Sequence, residues 1–100
     1  MYISANMAVA RTNNARQSNR YVGENIILPT MMEEIMSYIS IATAIGKGEA
    51  IYPLHSDLFS EYSTEAFHIA CTFMEDKMTT LGYRIVKCDE DTYKFIWLSE

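Results

Sequence analysis

Hydrophobic positions along the chain fall into two regimes. Up to about residue 25, Asn, Ser, Ala and Arg dominate with a period of neither two nor 3.6, which predicts an extended arm. Ile26, Ile27 and Leu28 then precede Pro29, and a residue before proline is held extended, so this stretch reads as a short strand or plug at the start of the folded body. A first helix is expected from Thr30, because Thr30 and Glu33 have the spacing of a capping box. Met32, Ile35, Met36, Ile39 and Thr43 recur at helical spacing, and Met31, Tyr38, Ile41 and Ile45 widen the stripe before Gly46 and Gly48 end it. Such a face is wider than one core contact requires, which predicts a second contact with a partner or with the arm.

Glu49 to Leu54 reads as a short strand, at an edge or ending at Pro53, whose missing N–H cannot join a ladder. A loop from His55 to Tyr62 leads to a second helix capped by Ser63, with Ala66, Ala70, Phe73, Met74, Lys77 and Leu81 as its stripe and Gly82 as its left-handed stop. Tyr83 to Cys88 and Thr92 to Leu98 are β-rich runs separated by Asp89, Glu90 and Asp91, the spacing of a hairpin with a three-residue loop. Tyr93, Phe95 and Trp97 share one face of the last run, and Lys94, Ile96 and Leu98 share the other; both faces carry large apolar groups, so either can be the core.

The order helix, strand, helix, strand, strand predicts an α+β fold. A right-handed crossover through the second helix sets the first two strands parallel, and the hairpin adds an antiparallel third. The expected architecture is a two-layer α/β sandwich of order α-β-α-β-β. It has a three-stranded mixed sheet, two helices on one face and an extended N-terminal arm. Residues 1–25 are the polar, basic arm and residues 26–100 the single domain. One hundred residues suit one domain, and the longest apolar run, Ile35 to Ile45, is broken by Ser37, Ser40 and Thr43, well short of the roughly 20 residues of a membrane span.

Charge divides at the same boundary. Residues 1 to 23 hold Arg11, Arg16 and Arg20 and no acid, for +3, whereas residues 24 to 100 hold five Lys or Arg against thirteen acids, for −8. An acidic body repels phosphate backbones, so nucleic-acid binding through the folded domain is disfavoured, although a basic arm can still touch one. The arm has no apolar run of a secretory signal; it is Arg-rich and acid-poor like a mitochondrial presequence, but without an apolar helical stripe, so a cytosolic setting is expected.

Candidate chemistry is sparse. His55 and Asp57 follow the first strand, where α/β sheets often hold functional groups, yet no third ligand or nucleophile accompanies them, and loop capping, with Asp57 or Ser56 bonding backbone amides, suits the stretch better. His68 and Cys71 lie three apart on one helix, but a catalytic thiol usually takes its base from a distant segment. Cys71 and Cys88 read as two reduced thiols. The acidic Asp89, Glu90, Asp91 turn lacks the glycine and distant Glu of a calcium loop, and Gly46 and Gly48 follow a helix where a phosphate loop would precede one. No catalytic residue, cofactor or metal is expected, and the protein reads as a non-enzyme. Met31, Met32 and Met36 cluster on the first helix, as in adaptable interfaces as well as cores.

From Ile35 onward the chain resembles a set of small proteins encoded by tailed bacteriophages, in the glycine-containing turn Gly46 to Gly48, in Leu81-Gly82-Tyr83 ending a helix, and in the final run Tyr93 through Trp97. The resemblance implies a virion component or accessory protein, found in the virion or the host cytoplasm, with no active site to carry over. The expected function is a non-enzymatic assembly protein, a small structural or auxiliary component of a phage particle. Its arm docks on a neighbouring subunit, and its partners are other protein subunits of a homo- or hetero-oligomer. Arg11, Arg16, Arg20, Met31, Met32, Tyr93, Phe95 and Trp97 are the expected interaction residues. The alternative is an inhibitor that presents its acidic body to a basic cleft of a host protein.

Overall fold

The computed structural model describes residues 4–54 and 59–98. Its dominant feature is one long helical rod. Helix α1 (Ala5–Val22) passes through a π turn (Gly23–Ile27) into helix α2 (Leu28–Ala44), and at 1.5 Å per residue this rod accounts for the 61 Å long axis of the molecule. The expected extended arm is therefore helical from Ala5. Ser4 caps it, accepting the Met7 N–H at 3.2 Å, and half of its 18 positions hold the good helix formers Ala, Arg, Met and Gln. Hydrophobic periodicity could not reveal α1, because a helix that buries no residue needs no apolar stripe.

The helix start expected at Thr30 is likewise absent. Thr30 donates its hydroxyl to the Ile26 carbonyl at 3.3 Å, a bond within a continuing helix. Pro29 lacks an N–H and its ring crowds the carbonyl four residues back; the widened turn just before it, in which the Leu28 N–H reaches Gly23, accommodates both. Leu28 keeps helical angles (φ −57°, ψ −47°) in spite of the proline after it. Tertiary burial outweighs that local preference: Ile27, Leu28 and Met31 are all buried.

Strands β1 (Glu49–Pro53), β2 (Arg84–Asp89) and β3 (Thr92–Ile96) form a sheet of order β1-β3-β2. Both pairings are antiparallel, which corrects the expected mixed sheet. β1 and β2 do run the same way, but β3 lies between them. The physical reason is side-chain composition: β3 places buried Tyr93 and Phe95 where both neighbours can cover them, while β2 carries exposed Arg84, Lys87, Cys88 and Asp89, which suit an edge. A register irregularity between Lys87 and Asp89 leaves Asp89 opposite Thr92, so the hairpin turns through Glu90 and Asp91 alone.

Helix α3 (Thr64–Thr80) is capped by Ser63, whose hydroxyl accepts the Ala66 N–H at 3.1 Å, and the chain turns at Gly82 with φ +99°. Its buried stripe is Ala66, Ala70, Met74 and Met78, rather than one ending in Lys77 and Leu81, which are exposed. On α2 the buried stripe is Leu28, Met31, Ile35, Ile39 and Ala42, one position off the expected Met32, Met36 and Thr43. α2 packs against β1 and α3 against β2. The core closes on the sheet face of Ala50, Tyr52, Tyr93 and Phe95, which settles the face left open by the alternation. Tyr52 is fully buried and donates its hydroxyl to Glu34 Oε2 at 2.6 Å, a charge-assisted bond that fixes α2 over β1.

Candidate interaction surfaces

α1 meets the body only at its C-terminal end. Asn19 donates to Glu65 Oε2 at 3.0 Å and accepts the Ser63 hydroxyl at 2.8 Å, so one amide ties α1 to the cap of α3. One turn later a Cβ on Gly23 would stand 2.6 Å from the Ala66 carbonyl oxygen and 3.0 Å from Ile69 Cγ2. The missing side chain is what lets the rod cross α3 in backbone contact. From Ser4 to Ser18 no residue is buried, leaving about 20 Å of helix clear of the body.

The expected interaction residues separate into three groups. Arg11, Arg16 and Arg20 all lie exposed on α1, and Arg20 approaches Glu24 at 3.9 Å in an open contact. Met31, Tyr93 and Phe95 are core residues with at most 2% exposure, so their apolar bulk is already used within this chain. Met32 and Trp97 are half-buried, Trp97 edge-on to Tyr83 with ring centres 5.9 Å apart.

The wide face of α2 expected to make a second contact continues onto β1 at Ile51, a continuation that the sequence did not reveal. Ile41, Ile45 and Ile51 are 64%, 65% and 54% exposed, and with Tyr38, Ala42 and Ala50 they line a groove of about 220 Å³. β1 is an edge strand. Gly48 accepts from Trp97 and the Leu54 N–H reaches Asp91, so by the antiparallel alternation Ala50 and Tyr52 bond to β3, while the N–H groups of Glu49 and Ile51 point outward. The other edge is different: β2 has Arg84 and Lys87 and an irregular register, devices that discourage strand addition.

The residues singled out for chemistry do not converge. His55 and Asp57 lie outside the described residues. His68 is exposed and Cys71 half-buried; burial first, and then Glu75, push the Cys71 thiol up to about 11, with Lys87 opposing, so the thiol holds its proton at neutral pH. Asp89 accepts the Asp91 N–H at 2.8 Å, which spends one of its oxygens on the turn. Among the described residues, no three His, Cys, Asp or Glu side chains are grouped to hold a metal ion, and no helix is long and apolar enough to cross a membrane.

No family model, curated protein or solved structure matches this chain.

Proposed function

We propose that this chain is a non-enzymatic assembly protein that joins a second subunit through the open edge of β1, with α1 as the part that reaches beyond the body. The observation that carries the reading is the coincidence of outward Glu49 and Ile51 N–H groups with three exposed isoleucines around one groove. An edge whose Glu49 and Ile51 amides are open beside an apolar patch favours strand addition, in which main-chain bonds and side-chain packing act together.

Two copies related by a two-fold axis place Ile51 opposite its own counterpart. The Ile51 N–H then bonds the partner's Ile51 carbonyl, and the Glu49 N–H bonds the partner's Pro53 carbonyl. Pro53 accepts but cannot donate, so the Glu49 carbonyl opposite it is left to water at each end of the pairing. The joined sheet has six strands, and its outer edges are the two guarded β2 strands, which closes the assembly as a dimer and not a filament. A small structural or auxiliary component of a phage particle, as the resemblance implies, is the setting we propose for it. The host-inhibitor alternative gains no support, since exposed acids are scattered over α2, α3 and the hairpin.

Sedimentation velocity of the full chain across a concentration series tests the reading. A monomer–dimer equilibrium that Ile45→Glu and Ile51→Lys each shift toward monomer is expected. A monomer at every concentration, or a dimer indifferent to both substitutions, overturns it.

A further inference from the structure

The projecting part of α1 carries a different chemistry from the groove at β1. Along α1 as a whole Arg11, Arg16 and Arg20 are exposed and no acid occurs before Glu24. At about 100° per residue, Asn6, Asn13, Asn14 and Gln17 share one exposed face roughly 100° wide. Arg16 and Arg20 bound that face on one side and Arg11 bounds it on the other.

Two partners answer a +3 helix: an acidic protein surface or a nucleic acid. A helix docked on protein needs apolar anchors at i, i+3, i+4 and i+7, and the exposed large apolar residues of α1, Met7, Val9 and Tyr21, include no two that stand three, four or seven apart. Arginines that flank a helix on both sides suit negative charge on two walls. Asn and Gln between them suit a floor of hydrogen-bonding edges, with adenine their usual partner. A helix 10–12 Å across fits the roughly 12 Å major groove of duplex DNA, whose two phosphate rows form such walls. The deep, narrow major groove of an RNA duplex does not admit one.

We propose that α1 is a DNA-facing helix that enters the major groove, with Arg11, Arg16 and Arg20 on phosphates and the Asn/Gln face toward the bases. The −8 of the body repels the duplex, which confines contact to α1, Arg11 and Arg16 on the roughly 20 Å that stands clear of the body and Arg20 just beyond it. Arg20 leaves the open contact with Glu24 to reach a phosphate. Three phosphate contacts give modest, non-sequence-specific affinity with a distinctive salt dependence. The logarithm of the association constant falls with log salt at a slope near −2.7, about 40-fold weaker binding between 50 and 200 mM salt.

Fluorescence anisotropy of a labelled duplex DNA titrated with the full chain reads this directly. Wild-type protein is expected to bind at low salt with a slope between about −1.8, if Arg20 stays with Glu24, and −2.7. The triple variant Arg11→Gln, Arg16→Gln, Arg20→Gln is expected to lose that binding. Glutamine keeps the helix propensity of arginine, and circular dichroism verifies the fold. The variant Lys47→Gln, Arg84→Gln, altered on the body alone, is expected to bind as wild type. The inference is overturned by a wild type that does not bind at low salt, by a slope shallower than −1, or by a triple variant that binds unchanged. It is also overturned if the triple substitution abolishes self-association while DNA binding is absent, since α1 then docks on protein. The first three results leave the dimer at β1 untouched, whereas loss of self-association in the triple variant would count against that dimer as well.

Discussion

Gly23→Ala is the smallest change that tests whether the rod is seated on α3. The added methyl stands 2.6 Å from the Ala66 carbonyl oxygen and about 3 Å from the Ile69 side chain, where ordinary contact needs at least 3.4 Å. Ile69 can turn aside by a few tenths of an ångström. The carbonyl cannot, because it belongs to the first turns of α3, so the two helices must separate. Overpacking of this kind costs about 1–3 kcal/mol, and a rigid backbone atom on the opposing side puts Gly23 near the upper end. Alanine in place of glycine returns about 1 kcal/mol of helix propensity. The net is a loss of about 1–2 kcal/mol, which lowers the melting temperature by roughly 5–15 °C in a domain of this size. Thermal denaturation followed by circular dichroism at 222 nm measures it. Gly46→Ala is the matched control. No atom lies within 4 Å of its added Cβ, yet φ is +81°, so it should lose about 1 kcal/mol through backbone strain alone. A Gly23→Ala protein that melts at or above wild type would refute the close crossing and, with it, the seating of α1 against the body.

Ser63→Ala removes both the cap of α3 and the donor to Asn19, so a loss of about 1–2 kcal/mol is expected, with faster hydrogen exchange in the last turn of α1 as well as the first turn of α3. The two thiols should differ in reactivity: at pH 8 iodoacetamide modifies exposed Cys88 well before half-buried Cys71, and equal rates would contradict the raised Cys71 value. In alkali, Cys71 is raised to about 11 from 9.0 and Tyr93 to about 12 from 10.0, both chiefly by burial, and burial with the Glu34 carboxylate pushes Tyr52 higher still. In each case the folded state holds a proton that the unfolded chain gives up. Stability is therefore full below pH 9 and falls as pH rises from 9 through 12; urea titrations showing no decline over that range would contradict the burial of these groups.

The body was largely legible in the sequence and the rod was not. Ser63, Gly82 and the strands around Asp89 to Asp91 announced α3 and the hairpin through local signals whose mechanism is independent of the rest of the chain. The boundary at Pro29 misled because two local rules, the missing N–H and the extended preference before proline, both favour a break. The π turn and the burial of Ile27 and Leu28 override them, and neither is local. For α1 the informative signal was the cap at Ser4 and the content of Ala, Arg and Gln, not hydrophobic spacing. The stripes on α2 and α3 were displaced by one or a few positions, since a half-buried methionine and a buried one look alike until the neighbouring helix is placed. For the same reason Met31, Tyr93 and Phe95 read as surface candidates but are core, whereas Ile41 and Ile45, read as surplus width on the α2 face, are exposed.

Pairing at the β1 edge has a direct spectroscopic signature in the Ile51 amide, which points away from β3. Hydrogen exchange of that amide, followed by NMR at increasing protein concentration, should slow as the dimer fills, in step with the Glu49 amide, while the Arg84 and Lys87 amides on the β2 edge stay unchanged. An Ile51 amide that exchanges at the same rate at every concentration, in a sample that sediments as a dimer, would show that the copies meet elsewhere.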